Sequence, residues 1–412
     1  MSRTVVIGAG LAGLVAALRI ADAGGKVTVI ATGAGSLQLG GAALDVLGYT
    51  SERVERPLEA FDELPLFHPY RAIGAERVAG ALAWLRERLP ALDIRGDASQ
   101  NLLLATAVGA IRPTAAAQAS VAAGDLTSGG PVVFAGFPSV KDFVPQLVAA
   151  NIAKADIETR AVTIVMPEGS EPDMSPLGMA REFDNPLRRA DLVAALRHAV
   201  GVADGARVGL PAVLGANEHP DVYAAISEAL GTEVFEVPTI PPSVPGIRLY
   251  RALTGELRQA GGRVILGATV TGAETDGDRL AGVVAAVAGR NRTFAADAVV
   301  LATGGLAVGG IELERDGPRE TVFGLELSGV PEDGPFVADA HAENPIDRTG
   351  VAVDDSMRPV SVNGGIAYPN LHAAGGILAG AAPWRELSGN GLALASALAA
   401  ADTILSEGGG HD

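Results

Sequence analysis

The sequence predicts a parallel α/β fold interrupted by an inserted α+β domain, and three observations carry that expectation. A Gly-x-Gly-x-x-Gly run, Gly8–Gly13, directly follows a short apolar stretch and opens a helical one. A second apolar stretch, Ala298–Ala302, runs into Thr303-Gly304-Gly305 far along the chain. Between them the texture changes: prolines become frequent and helical stretches alternate with strand-like runs. A nucleotide-type fold therefore opens at the N-terminus and is completed near the C-terminus. The expected domains are residues 1–60 with 250–412, and an insertion over 61–249.

Taken in order, Thr4–Ile7 is a short apolar run bounded by glycine, the pattern of a buried parallel strand. Leu11–Ala23 carries Leu11, Leu14, Val15, Leu18 and Ile20 at helical spacing and stops at Gly24-Gly25. Val27–Ile30 is a second strand, which completes a unit of βαβ length. In the insertion, Glu76–Leu89, Arg188–Val200 and Asp221–Leu230 read as helices, and Val132–Phe134 and Val162–Met166 as strands. Gly246–Ala260 reads as a helix leading into a strand at Arg263–Leu266. Val270–Phe294 alternates across turns at Asp276-Gly277 and Gly289-Arg290, a small antiparallel meander. Gly389–Ser406 is a closing helix, and the Gly408–Gly410 tail is expected to fray.

Composition bounds the chemistry. The 412 residues are 48% hydrophobic and 19% charged, enough for two or three domains with sizeable cores. The formal charge of −17 gives no basic face for phosphate neutralisation, so nucleic acid is not an expected partner. There is no cysteine, which excludes disulfides, thiolate metal sites and cysteine-ligated iron–sulfur clusters within the chain. The six histidines (His68, His198, His219, His341, His372, His411) lack ligand spacing, so no metal is expected. Val27–Leu44 is uncharged, but its glycines and polar residues disqualify it as a membrane span. No targeting segment is apparent, and a cytoplasmic location without direct membrane insertion is expected.

Each glycine of the first motif has a task. Gly8 permits the tight turn, Gly10 lets a phosphate approach the backbone, and Gly13 lets the helix pack against the strand. Leu11 and Ala12 begin the helix whose free N–H groups and positive dipole end suit phosphate. Dinucleotide folds place an acid at the end of the second strand to hold a ribose; here that place is Ala31 or Thr32. Thr303, Gly304 and Gly305 form a second cofactor-facing turn. Asn370–Gly376 is a third, with Gly375 and Gly376 at its end. Ser388-Gly389-Asn390-Gly391-Leu392 then offers a second helix N-terminus, which would stabilise negative charge on a reduced flavin ring, with Asn390 as its cap.

These segments in this order resemble flavoproteins of the fumarate reductase and succinate dehydrogenase type. Ser36–Leu47, His68-Pro69-Tyr70, Pro238–Leu249 and Gly350–Pro359 narrow the likeness to the B subunits of the anaerobic glycerol-3-phosphate dehydrogenases, over nearly the whole chain. The resemblance implies a Rossmann-like flavin-binding domain and a three-subunit, quinone-linked enzyme. It would oxidise sn-glycerol 3-phosphate to dihydroxyacetone phosphate beside two partners, a catalytic flavoprotein subunit and an iron–sulfur, membrane-anchoring subunit. It adds Ser36, Gly40, Gly41 and Ala42, with Thr32, to the cofactor residues. Location at the inner face of the membrane would come through those partners. FMN is expected over FAD, because FMN has no adenosine and needs no ribose-binding acid. Arg248, Arg358 and His68 are candidates for substrate phosphate or proton transfer, since such a substrate needs a cation and a base. Plainer roles stand against these: a turn with Pro69 for His68, an internal ion pair for Arg248, and simple packing for His372. Two other readings stay open: a standalone fumarate reductase- or ketosteroid dehydrogenase-like oxidoreductase, and a flavin-bearing assembly subunit without turnover.

Overall fold

Val5, Val6 and Ile7 are buried because the strand that carries them lies at the centre of a parallel sheet. The structure, a computed structural model, describes residues 3–201, 205–339 and 342–408. His341, His411 and the tail glycines Gly409 and Gly410 lie outside the described residues. The chain divides into two compact units: Met1–Ser36 with Asp45–Arg88 and Arg251–Asp412, and Leu37–Leu44 with Leu89–Tyr250.

In the first unit, β1 (Arg3–Ile7), α1 (Leu11–Asp22) and β2 (Lys26–Ala31) form the opening strand–helix–strand. α2 (Ala75–Arg88), β3 (Arg263–Leu266), β4 (Ala298–Leu301), β5 (Leu371–Ala373) and α3 (Gly389–Gly408) complete its main layer. The strand order is β3-β2-β1-β4-β5, all parallel, with Val5 between Thr28 and Val299. The order reverses between β1 and β4, the kind of switch point where such sheets bind ligands beyond their carboxyl ends. α1 is apolar nearly all round because α3 covers the side that the sheet does not. The meander is present as Ala268–Asp276, Arg279–Val287 and Arg290–Ala295. Its second turn sits one residue earlier than expected, at Ala288-Gly289, both at positive φ, as a two-residue hairpin turn requires.

The second unit is more regular than an α+β insertion suggests. Thr159–Thr163, Val132–Gly136, Arg207–Pro211 and Val234–Val237 pair in that order as a wholly parallel sheet. Helices Pro145–Ile152, Pro186–Val200 and His219–Leu230 provide the crossovers that parallel pairing needs. Phe134 and Phe235 meet edge to face at 6.0 Å in its core. The strand expected at Val162–Met166 is instead Thr159–Thr163; Val165 is exposed, so apolarity misplaced it.

The partition also differs from the expected boundaries. Residues 61–88 belong with the first unit because Val78, Ala81, Leu82 and Leu85 of α2 bury a face, and α2 packs on α3. Residues 37–44 belong with the second, where the Leu44 N–H donates to Ala116 O at 2.7 Å and the Ser243 N–H to Gln38 O at 2.9 Å. Among the described residues no helix is long and apolar enough to cross a membrane.

Candidate functional site

The carboxyl ends of β1, β4 and β5 bring three glycine turns of the first unit together. The Ala302 N–H donates to Ile7 O at 2.9 Å and the Ala374 N–H to Leu301 O at 2.9 Å, so each turn leaves its strand at the same level. Gly8 has φ +113°, and a Cβ there would stand 2.2 Å from Ala302 O. A Cβ on Gly13 would stand 2.0 Å from Gly8 O. One on Gly375 would meet the Ala12 side chain at 2.8 Å, and one on Gly305 would meet Gly376 O at 2.6 Å. A side chain at any of these points would push the turns apart.

Gly10 is different: a Cβ there would meet nothing within 4 Å. That open face lies over the start of α1, which has no side-chain cap and no acid in its first turn. The first intrahelical bond runs from the Leu14 N–H to Gly10 O at 3.0 Å. The N–H groups before it have no helical acceptor. Thr303 adds a buried Oγ1 with no hydrogen-bond partner among the described residues. Unused donors, open space and an orphaned hydroxyl fit the phosphate chain of a nucleotide cofactor.

Two residues that sequence reasoning missed shape this cradle. Gly35 lies so close that a Cβ would stand 2.6 Å from Gly10 Cα. Ser396, fully buried on α3, accepts the Gly375 N–H at 2.9 Å and so fixes the third turn. A serine inside an apolar helix was the available signal.

The other sequence candidates lie outside the three glycine turns. Thr32 and Ser36 are exposed beyond β2. Gly40, Gly41 and Ala42 belong to the second unit, where Gly41 lies against Pro238 and Ala42 has φ +54°. Asn390 is not a cap, because the helix already begins at Gly389. The Gly391 N–H donates to Asp45 O at 2.7 Å and the Leu392 N–H to Ser388 O at 2.9 Å, so these amides are engaged.

The three catalytic candidates are engaged as well. Arg248, in the second unit, is buried and holds Glu236 through Nη1–Oε2 at 2.6 Å and Nη2–Oε1 at 3.0 Å. It also donates to Gly215 O and Leu214 O. Burial pushes the Glu236 carboxyl up, but Arg248, with His219 and Ser120, more than offsets it and holds it at about 2. Arg358 pairs with Asp354 four residues earlier at 2.8 Å. His68 accepts the Tyr70 N–H at Nδ1, 3.1 Å, which leaves its proton on Nε2, 3.1 Å from Glu386 Oε2. Glu386 also takes Arg348 Nη1 at 2.6 Å and Ser388 Oγ at 3.1 Å. Burial raises the Glu386 carboxyl, and His68 and Arg348 more than offset it, so it lies below its ordinary value. His372 Nδ1 donates to Ser356 O at 2.9 Å, and burial lowers its pKa, as suits a packed residue. Among the described residues no three histidines or carboxylates gather as a metal site.

A parallel sheet with a glycine cradle at its switch point defines a nucleotide-binding fold. The family described as "FAD binding domain" matches residues 3–392. The chain is 35% identical to the probable B subunit of an anaerobic glycerol-3-phosphate dehydrogenase of Halobacterium salinarum, over 97% of this chain and 96% of the relative. It is 32% identical to the B subunit of the anaerobic glycerol-3-phosphate dehydrogenase of Pectobacterium carotovorum, over 98% of each. The chain belongs to this B-subunit family within the FAD-binding flavoproteins. Among solved structures it is similar to a 3-ketosteroid Δ1-dehydrogenase of Sterolibacterium denitrificans (11% identity, TM-score 0.43, 99% of this chain and 100% of that one). It is likewise similar to a flavocytochrome c3 fumarate reductase (11%, 0.44, 98% and 78%). The preference for FMN finds no support, since the matching family binds FAD. A ribose can be held by neutral or backbone groups, so the missing acid after β2 does not decide the cofactor.

Proposed function

We propose that this chain is the FAD-carrying B subunit of a quinone-linked anaerobic glycerol-3-phosphate dehydrogenase. It takes part in the oxidation of sn-glycerol 3-phosphate to dihydroxyacetone phosphate and passes electrons to an iron–sulfur partner. The observation that carries the reading is the cradle at Gly8–Gly13, Thr303–Gly305 and Gly375-Gly376, in a chain whose full-length relatives bear that name. The amides of Leu11–Gly13 and the space over Gly10 would take the pyrophosphate, and Thr303 Oγ1 would give its unused hydrogen bond to the cofactor. Bound there, the flavin supplies two-electron chemistry.

The chain has no cysteine, so iron–sulfur clusters would belong to a partner. We assign that role to a membrane-anchoring partner subunit, with a second, catalytic flavoprotein beside it, and peripheral placement at the membrane through them. Arg248, His68 and Arg358 are each engaged by internal partners. That engagement favours a chain that carries electrons while the alcohol is oxidised on the catalytic flavoprotein. Reconstitution tests this: with both partners, glycerol 3-phosphate should reduce an acceptor dye only when this chain is present. Full turnover by the isolated chain would overturn it.

A further inference from the structure

Residues 321–339 of the first unit form no helix or strand among the described residues. That exceeds the roughly 12–15 residues beyond which an irregular segment of a compact fold usually has a task. Its anchoring is sparse. The Ser328 N–H donates to Gly350 O at 2.8 Å, and Pro335 O accepts the Ile346 N–H at 3.3 Å. Glu326 Oε2 accepts the Val362 N–H at 3.2 Å, which ties the segment to the turn that carries Val362.

The segment leaves two kinds of group in water. Phe336 is 64% exposed and Val362 68% exposed, and Val330 and Val337 are exposed with them. Large apolar side chains left in water along one stretch mark an interaction surface. The charge beside them has one sign. Glu326, Glu332, Asp333 and Asp339 are exposed, and 321–339 contains no lysine or arginine. Glu332 and Asp333 pair with no cation among the described residues. The arginines that flank the segment along the chain are taken: Arg319 by Glu312 and Glu314, Arg348 by Glu343 and Glu386, and Arg358 by Asp354.

That sign selects the occupant. A second copy would bring its own charge of −17, and an anionic lipid surface would be repelled in the same way. A protein face with lysines and arginines around an apolar centre is complementary on both counts. The inference rests on the proposed function, which includes a membrane-anchoring partner. A protein seated at an anionic lipid surface concentrates lysine and arginine on its cytoplasmic side. We propose that residues 330–337, with Val362, dock the basic cytoplasmic face of that anchoring partner. Phe336 is the buried anchor of the contact, and Glu332 and Asp333 supply its charged rim.

Biolayer interferometry of the flavin-loaded chain on the immobilised, detergent-solubilised anchoring subunit tests this. Glu332→Lys with Asp333→Lys should weaken binding by at least about tenfold, mainly through slower association. Phe336→Ser should weaken it by at least about tenfold through faster dissociation. Raising salt from about 50 to 300 mM should weaken the wild type more than the Glu332→Lys, Asp333→Lys variant. Glu158→Lys with Glu228→Lys makes the same change of charge at exposed positions of the second unit and should bind as the wild type does. Unchanged affinity in the Glu332→Lys, Asp333→Lys and Phe336→Ser variants would overturn the proposal. An equal loss in the Glu158→Lys, Glu228→Lys control would overturn it too, because net charge alone would then explain the effect. A dimer of this chain in sedimentation that Phe336→Ser dissociates would assign the face to a second copy and also overturn it. No binding by the wild type would overturn the proposed function together with this face, whereas equal binding by the wild type and every variant would overturn the face alone. Flavin absorbance of each sample confirms that the variants remain folded and loaded.

Discussion

Replacing Arg248 by alanine separates two roles that the sequence left open. Arg248 makes four hydrogen bonds, two of them to Glu236, and both side chains are almost fully buried. Its removal leaves Glu236 with Ser120 Oγ at 2.7 Å and the Leu214 N–H at 2.9 Å, too little to hold a buried carboxylate ionised. Breaking one side of such a pair costs about 3–5 kcal/mol, or roughly two to four orders of magnitude in the folded-to-unfolded ratio. Urea titration followed by far-ultraviolet circular dichroism reads that loss directly. Changing both partners, Arg248→Met with Glu236→Leu, removes the orphaned charge and should recover a large part of it. Wild-type stability in Arg248→Ala together with lost turnover would refute this reasoning and return Arg248 to a substrate role.

Three further outcomes follow from the same geometry. Gly10→Ala should keep the fold of the flavin-free protein, since its Cβ meets no protein atom, yet weaken flavin binding; Gly13→Ala should lose both, since its Cβ would stand 2.0 Å from Gly8 O. Thermal melts paired with flavin fluorescence titration distinguish the two. Glu236 has its folded pKa at about 2, below its ordinary 4.5, so the folded state binds fewer protons than the unfolded state between those values. Its contribution is complete above the unfolded pKa and declines as pH falls through that window, which urea midpoints at neutral and acid pH will show; Glu236→Gln should flatten that part of the profile. His68→Ala should cost about 1–3 kcal/mol, because the Tyr70 N–H and Glu386 both lose a buried partner. Calorimetry measures that, and unchanged stability would mean that the pairing contributes nothing.

The first unit was legible because its signals are local. Strand, glycine turn and helix follow one another at the start of the chain, and apolar runs marked β4 and the meander. Two things were not legible. The second unit hides a parallel sheet whose strands are 4–5 residues long and whose edge strand is half-exposed, so neither alternation nor a long apolar run marks it. The pairing of charges across long separations was also hidden. Glu236 lies 12 residues from Arg248, and Glu386 lies 318 residues from His68. Motif likeness made Arg248 and His68 look available for substrate, and only folding shows that each already has a partner. The cradle glycines do form turns, but Gly35 acts on them through a close approach that no spacing rule announces, and Ser396 through a hydrogen bond that only its place inside an apolar helix hinted at.

The account rests on the cradle holding a dinucleotide flavin. Acid extraction of the purified native protein, followed by chromatography of the supernatant, measures that most directly. The prediction is one equivalent of FAD per chain, released without covalent attachment. One equivalent of FMN would contradict the choice of cofactor. Colourless protein that neither flavin can reconstitute would contradict the account itself.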